Sequence, residues 1–88
     1  MEFTTTTDYS TNIATAVSEL WDWGDYAEVY TDNVWGVYVV FAECGCDQQA
    51  RVFVNDEHIH TATDDFPAYF ITPQMAVTEA LAKLVAAK

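Results

Sequence analysis

Between Val34 and Glu43 the chain reads Val-Trp-Gly-Val-Tyr-Val-Val-Phe-Ala-Glu, a β-branched and aromatic run that is apolar at alternate and at intervening positions. A strand of this kind needs cover on both faces, so it belongs in the middle of a sheet, with helix on one side and something else on the other. The 88 residues leave room for one hydrophobic core, and a single domain, 1–88, is expected. Hydrophobic residues at 51% and aromatics at 15% supply that core and exclude wholesale disorder. No window approaches the roughly 20 consecutive apolar residues of a membrane span, so no membrane association is expected.

Residues 1–9 hold a Thr run without period and read as a loose lead-in or a short edge strand. Ser10, Thr11 and Asn12 are good N-caps, and Ile13, Val17 and Leu20, with Trp21 or Gly24, fall on one helical face. Gly24 is a natural stop, giving a helix over about 11–23. Strands follow at 26–31, at 34–43 after an Asp32-Asn33 turn, at 50–55, and at 58–62 after an Asp56-Glu57 turn. Their connections are short, which makes neighbours antiparallel. Within 63–71, Phe66, Tyr69 and Phe70 are expected beneath the sheet edge. Thr72 as N-cap and Pro73 at the first helical position open a last helix, with Met75, Val77, Ala80, Leu81 and Leu84 as its apolar stripe. The expected fold is α+β: a four-stranded antiparallel meander with one helix before and one after it (α-β-β-β-β-α), both helices on one face.

Cys44, Cys46, His58 and His60, as C-x-C and H-x-H, are the right donor set for zinc, and each pair shares a face in extended chain. The cysteines, however, fall at the turn between the second and third strands, and the histidines at the far end of the third. His60 is then opposite Val52 and His58 opposite Val54, which puts the thiols well over about 10 Å from His58 at about 3.3 Å per residue. Zinc bonds of about 2.0–2.3 Å do not span that distance. No metal site and no cofactor are therefore expected, and a small zinc-binding domain stands as an alternative. The two cysteines form a strained disulfide or stay thiols; Glu43 and Asp47 beside them disfavour a nucleophilic thiolate. Adjacent carboxylates, Asp56-Glu57 and Asp64-Asp65, diverge on a strand or turn. There is no G-x-S-x-G and no P-loop, and three glycines (Gly24, Gly36, Gly45) cannot build a phosphate cradle. An enzyme is not expected.

Charge is the remaining signal. Fourteen Asp and Glu oppose three Lys and Arg, a formal net charge of −11, and no cation precedes Arg51. Direct nucleic-acid binding, which needs cationic side chains to displace counterions, is excluded. Asp22, Asp25, Glu28 and Asp32 follow one another without a compensating cation, and Asp22 opposes the helix dipole at a cost of about 0.3–1 kcal/mol. Glu28 shares a strand face with Tyr26 and Tyr30. Trp21 and Trp23 lie 200° apart on a helix of about 3.6 residues per turn, so one of them is expected to be partly exposed among carboxylates. Glu19, Trp21, Asp22, Trp23, Asp25, Tyr26, Glu28, Tyr30 and Asp32 are thus the candidate surface for a basic partner, with aromatics as anchors and carboxylates as steering charges. Asp56, Glu57, Asp64 and Asp65 form a second candidate patch.

In its composition and in the Asp22–Asp25–Glu28–Asp32 run, the chain resembles the small acidic inhibitors of phages and mobile elements, the anti-CRISPR and anti-restriction proteins that mimic DNA. No family motif takes part, so no binding residues are transferred. The resemblance implies a stoichiometric inhibitor that occupies the nucleic-acid channel, or another surface, of a host defence complex, acting in the host cytoplasm. The start, Met1-Glu2-Phe3-Thr4, has no basic region followed by an apolar one, so no signal peptide and a cytoplasmic location with reduced thiols are expected. The alternative is an acidic phage or halophilic structural or housekeeping module, whose carboxylates serve solubility. A homodimer through the fourth-strand edge is left open.

Overall fold

The computed structural model describes residues 2–45, 47–64 and 72–86. Along the chain run β1 (Thr4–Thr5), α1 (Thr11–Trp23), β2 (Tyr26–Thr31), β3 (Val37–Cys44), β4 (Asp47–Val54), β5 (Glu57–Asp64) and α2 (Pro73–Ala86). The strands form one antiparallel sheet in the order β1-β2-β3-β4-β5. The meander therefore has five strands, not four. The addition is the Thr run, whose Thr4 and Thr5 pair with Thr31 and Tyr30 at the edge of β2.

Both helices begin where capping chemistry puts them. The Ser10 hydroxyl accepts a hydrogen bond from the Ile13 N–H at 3.3 Å, and the Thr72 hydroxyl accepts one from the Met75 N–H at 3.1 Å. Asp56 adds an anchor at the start of α1: its carboxylate accepts from the Ser10 hydroxyl and from the Asn12 amide at 3.0 Å. A carboxylate at that position also meets the positive end of the helix dipole.

Val39 and Val40 are consecutive on β3, and both are completely buried. Successive strand residues point to opposite faces, so the sheet must be covered twice. The two helices accordingly lie on opposite faces, and the expectation of both on one face is overturned. On one face Ile13, Ala16 and Leu20 of α1 pack with Val29, Val40, Ala42 and Phe53. On the other, Ala76, Val77 and Ala80 of α2 pack with Val39, Phe41, Ala50, Val52 and Ala62. The stripe of α2 is narrower than its sequence suggests: Met75 and Leu81 are half exposed, and two alanines let the helix settle onto Ala50 and Ala62. Helix α1 covers β2 and β3, and α2 covers β3 to β5, a diagonal arrangement.

The turns set the strand ends. Strand β3 starts at Val37 rather than Val34, because residues 32–36 form a loop in which Asn33 (φ 63°) and Gly36 (φ 70°) adopt left-handed backbone. The β4–β5 turn is Asn55-Asp56, with φ of 50° and 68° at its two central residues as a type I′ hairpin requires, one residue earlier than expected. The aromatic segment with Phe66, Tyr69 and Phe70 lies outside the described residues. No helix among the described residues is long and apolar enough to cross a membrane.

Gly24 joins α1 to β2 with its N–H donating to the Leu20 carbonyl at 2.9 Å. A Cβ there would fall inside the van der Waals envelope of the Glu43 carbonyl oxygen on β3. Gly24→Ala is expected to destabilise the fold by about 1–3 kcal/mol through this backbone clash, read as a lowered midpoint in chemical denaturation.

Candidate functional site

Negative charge collects at the end of the sheet where α1 finishes. Asp22 is exposed on the last turn of α1, which carries no basic residue to offset it. Asp25 follows the Gly24 stop: its N–H donates to the Glu43 carbonyl at 2.7 Å and its carboxylate accepts from the Gly45 N–H at 3.3 Å. These bonds bring the α1–β2 connection against the β3–β4 turn, where Asp47 pairs with Cys44. Asp47, which sequence reasoning did not single out as a binding residue, thus joins Asp22 and Asp25, whereas Glu43 faces Tyr26 and its carboxylate is bonded to that phenol on the face opposite Trp21. Asp22, Asp25 and Asp47 become neighbours only once β3 folds back beside β2.

Two indoles border this end. Trp21 is 50% exposed and Trp23 37%, where one exposed tryptophan was expected. Trp21 lines an open groove of about 420 Å³ together with Tyr9 and Val17, with Ala27 and Val29 of β2, and with the Thr5–Thr7 segment that runs along the edge of β2. Glu19, one turn before Trp23, is tied to the Arg51 guanidinium at 3.3 Å, an exposed pair worth about 0–1 kcal/mol. The first cation of the chain is thereby engaged by Glu19.

The other expected surface residues are distributed differently. Tyr26, Glu28 and Tyr30 share a face of β2, and the Tyr30 hydroxyl donates to Glu28 at 2.6 Å. That face is opposite the one carrying Trp21, since Ala27 and Val29 point toward α1. The candidate corner is therefore divided by the sheet. Asp32 is 8% exposed and sits at the far end of β2, about 23 Å along the strand from Asp25 at about 3.3 Å per residue. Its carboxylate accepts from the N–H groups of Val34 and Trp35 at 3.2 Å and holds the 32–36 loop in place. Asp22, Asp25, Glu28 and Asp32 thus do not form one row.

In the second patch, Asp56 is occupied at the start of α1, and Glu57 is exposed at the start of β5. Asp64 ends β5, and Asp65 lies outside the described residues.

The 32–36 loop presents Val34 and Trp35 at 74% and 69% exposure, a feature placed inside a strand by sequence reasoning. The signal for it was present in Asp32, Asn33 and Gly36, three residue types that favour turns.

The two histidines separate across the sheet. His60 faces Val52 as expected, but the register shifts between Val52 and Phe53, so His58 faces Phe53 and not Val54. The extra residue of this bulge reverses the side-chain alternation. His60 lies under α2 with its Nε2 2.9 Å from Glu79, whereas His58 packs its ring on Phe53, 5.3 Å between centroids, on the α1 face. Cys44 is a free thiol, and Cys46 lies outside the described residues. Among the described residues no group of three His, Cys, Asp or Glu side chains is placed to hold a metal ion.

Comparison with protein-family models, with curated proteins and with solved structures finds no match for this chain.

The Tyr30 phenol is pushed up to about 12, first by its hydrogen bond to Glu28 and then by burial. Burial, and then the carboxylates of Glu43 and Glu28, raise Tyr26 as well. Because the ordinary value is 10.0, the Tyr30–Glu28 bond contributes fully below pH 10 and its contribution is lost as pH rises toward about 12. A phenolate absorbance titration, taken as the difference between the native chain and Tyr30→Phe, should place this phenol near 12. Glu28→Gln should move it back toward 10.0.

Proposed function

We propose that the chain is a stoichiometric protein inhibitor that docks on a basic, nucleic-acid-handling complex through the end of the sheet bearing Asp22, Asp25 and Asp47. The observation that carries this reading is the exposure of Trp21 and Trp23 beside those carboxylates. Two large apolar side chains left in water next to uncompensated like charge are costly to the isolated fold and useful to a complex. On a cationic partner the carboxylates steer the encounter and pair with Arg and Lys, and the indoles fill pockets and exclude water. A partner channel that ordinarily holds phosphates offers cationic groups at which carboxylates stand in for them. The proposed action is non-catalytic: occupancy of the surface blocks its normal ligand.

The Glu19–Arg51 pair supports the same reading by engaging the one arginine of the chain. The fixed position of Asp25, bonded to the β3–β4 turn, keeps its charge in place before binding, so little ordering is required on association.

The test is capture from lysate of the source's host cells with the native chain and with the Asp22→Lys/Asp25→Lys double variant. The native chain should retain a basic nucleic-acid-binding complex, duplex DNA should compete with it, and retention should weaken with rising salt. The double variant should lose at least about tenfold in affinity, about 1.4 kcal/mol. Asp22→Lys alone should melt no lower than the native chain, because Asp22 opposes the helix dipole, whereas Asp25→Lys also removes the acceptor of the Gly45 N–H, so the fold of the double variant is checked by circular dichroism before capture. Retention that is indifferent to both substitutions and to salt would refute the reading.

A further inference from the structure

Strand β5 ends the sheet, and among the described residues no strand pairs with its outer side. The hairpin determines which of its backbone groups face outward. Val54 and Glu57 close the Asn55-Asp56 turn, so this pair exchanges backbone hydrogen bonds, and Val52 and Ala50, at every second place along β4, do the same with their own partners. Those partners, His60 and Ala62, turn their N–H and C=O groups inward, so Thr61 and Thr63 turn theirs to the outside. Natural edges are guarded by charge, proline or a bulge. The bulge that leaves Ile59 without a partner guards the start of β5, whereas Thr61-Ala62-Thr63 is neutral and regularly paired with β4.

We propose that this edge is a dimerisation surface, on which β5 of a second copy adds antiparallel about a two-fold axis through Ala62. In that register Thr61 lies opposite Thr63 of the second copy and Thr63 opposite its Thr61, each pair exchanging two backbone hydrogen bonds. Ala62 faces its own symmetry mate as a pair without hydrogen bonds, the closest spacing in an antiparallel sheet at about 4.5 Å between Cα atoms. A methyl group fits that spacing beneath α2, where Ala62 is 2% exposed. On the opposite face the Thr–Thr pairs make favourable cross-strand contacts. An axis nearer Glu57 runs into the bulge, which fixes the register. Above the α2 face, Glu79 reaches His60 at 2.9 Å, and Met75, one turn earlier on the same flank of α2, is 51% exposed. The axis sets this flank against its copy and covers Met75. Each copy carries a formal charge of −11, so repulsion opposes association, but it is screened beyond about 8 Å at physiological ionic strength. The dimer therefore strengthens as salt rises, the reverse of docking on a cationic partner, and does not depend on that docking.

Sedimentation equilibrium of the native chain, with amide hydrogen exchange followed by NMR over the same concentrations, tests the pairing. Dimer should form below about 1 mM chain and tighten as salt is raised. Exchange at Thr61 and Thr63 should slow at least about tenfold as dimer fills, whereas the Ala62 amide, bonded to β4, is already protected in the monomer. Thr63→Pro removes an outward N–H and no bond to β4, so it should leave the circular dichroism unchanged and the chain monomeric. Should that variant misfold, the two native amides decide the matter. A native chain that stays monomeric up to about 1 mM, a dimer whose Thr61 and Thr63 amides exchange as in the monomer, protection of both amides in the monomer, or a folded Thr63→Pro chain that still dimerises would each overturn the proposal.

Discussion

Burial of β3 on both faces is the constraint from which the rest of the architecture follows. Val39 and Val40 point to opposite faces and neither reaches solvent, so each face needs its own helix. Two helices of 13 and 14 residues cannot blanket both faces of a five-stranded sheet. They lie diagonally, α1 over β2 and β3, α2 over β3 to β5, so among the described residues one quadrant of each face has no helix over it. The open part of β2 carries Tyr26, Glu28 and Tyr30; the open part of β4 and β5 carries Gln49, Arg51 and Thr61.

The same constraint explains what the sequence made legible. Helix α1 was readable to the residue because capping by Ser10, apolar spacing and the Gly24 stop agree. The start of α2 was readable from Thr72 and Pro73. Helix placement was not, because a two-sided apolar strand states that cover is needed and is silent on which helix supplies it. The start of β3 was misjudged at Val34 and Trp35: both favour strands, but the Asp32 carboxylate bonds and left-handed Asn33 and Gly36 outweigh that preference. The bulge opposite Phe53 is likewise invisible in the His-x-His pattern, and it alone divides the two histidines between faces.

The acidic surface was legible in sign but not in shape. Composition and the early absence of cations announced a negative surface, yet the linear run from Asp22 to Asp32 disperses in three dimensions. Asp32 is consumed by its loop, Asp56 by the start of α1, and Glu28 by a phenol on the far face. What replaces the run is a tertiary grouping, Asp22 and Asp25 with Asp47, assembled by the hairpin of β3 and β4 and fixed by the Gly45 N–H. Such groupings depend on strand register, which charge spacing along the chain does not encode.

Among the described residues, two ends of the molecule expose tryptophan: Trp21 and Trp23 where α1 finishes, and Trp35 with Val34 on the opposite loop. The proposed account assigns the contact to the first pair alone. Oxidative footprinting of the chain, free and bound to its captured partner, separates the two directly. Protection of Trp21 and Trp23 with Trp35 still oxidised as in the free chain is the predicted result; protection confined to Trp35 would contradict it.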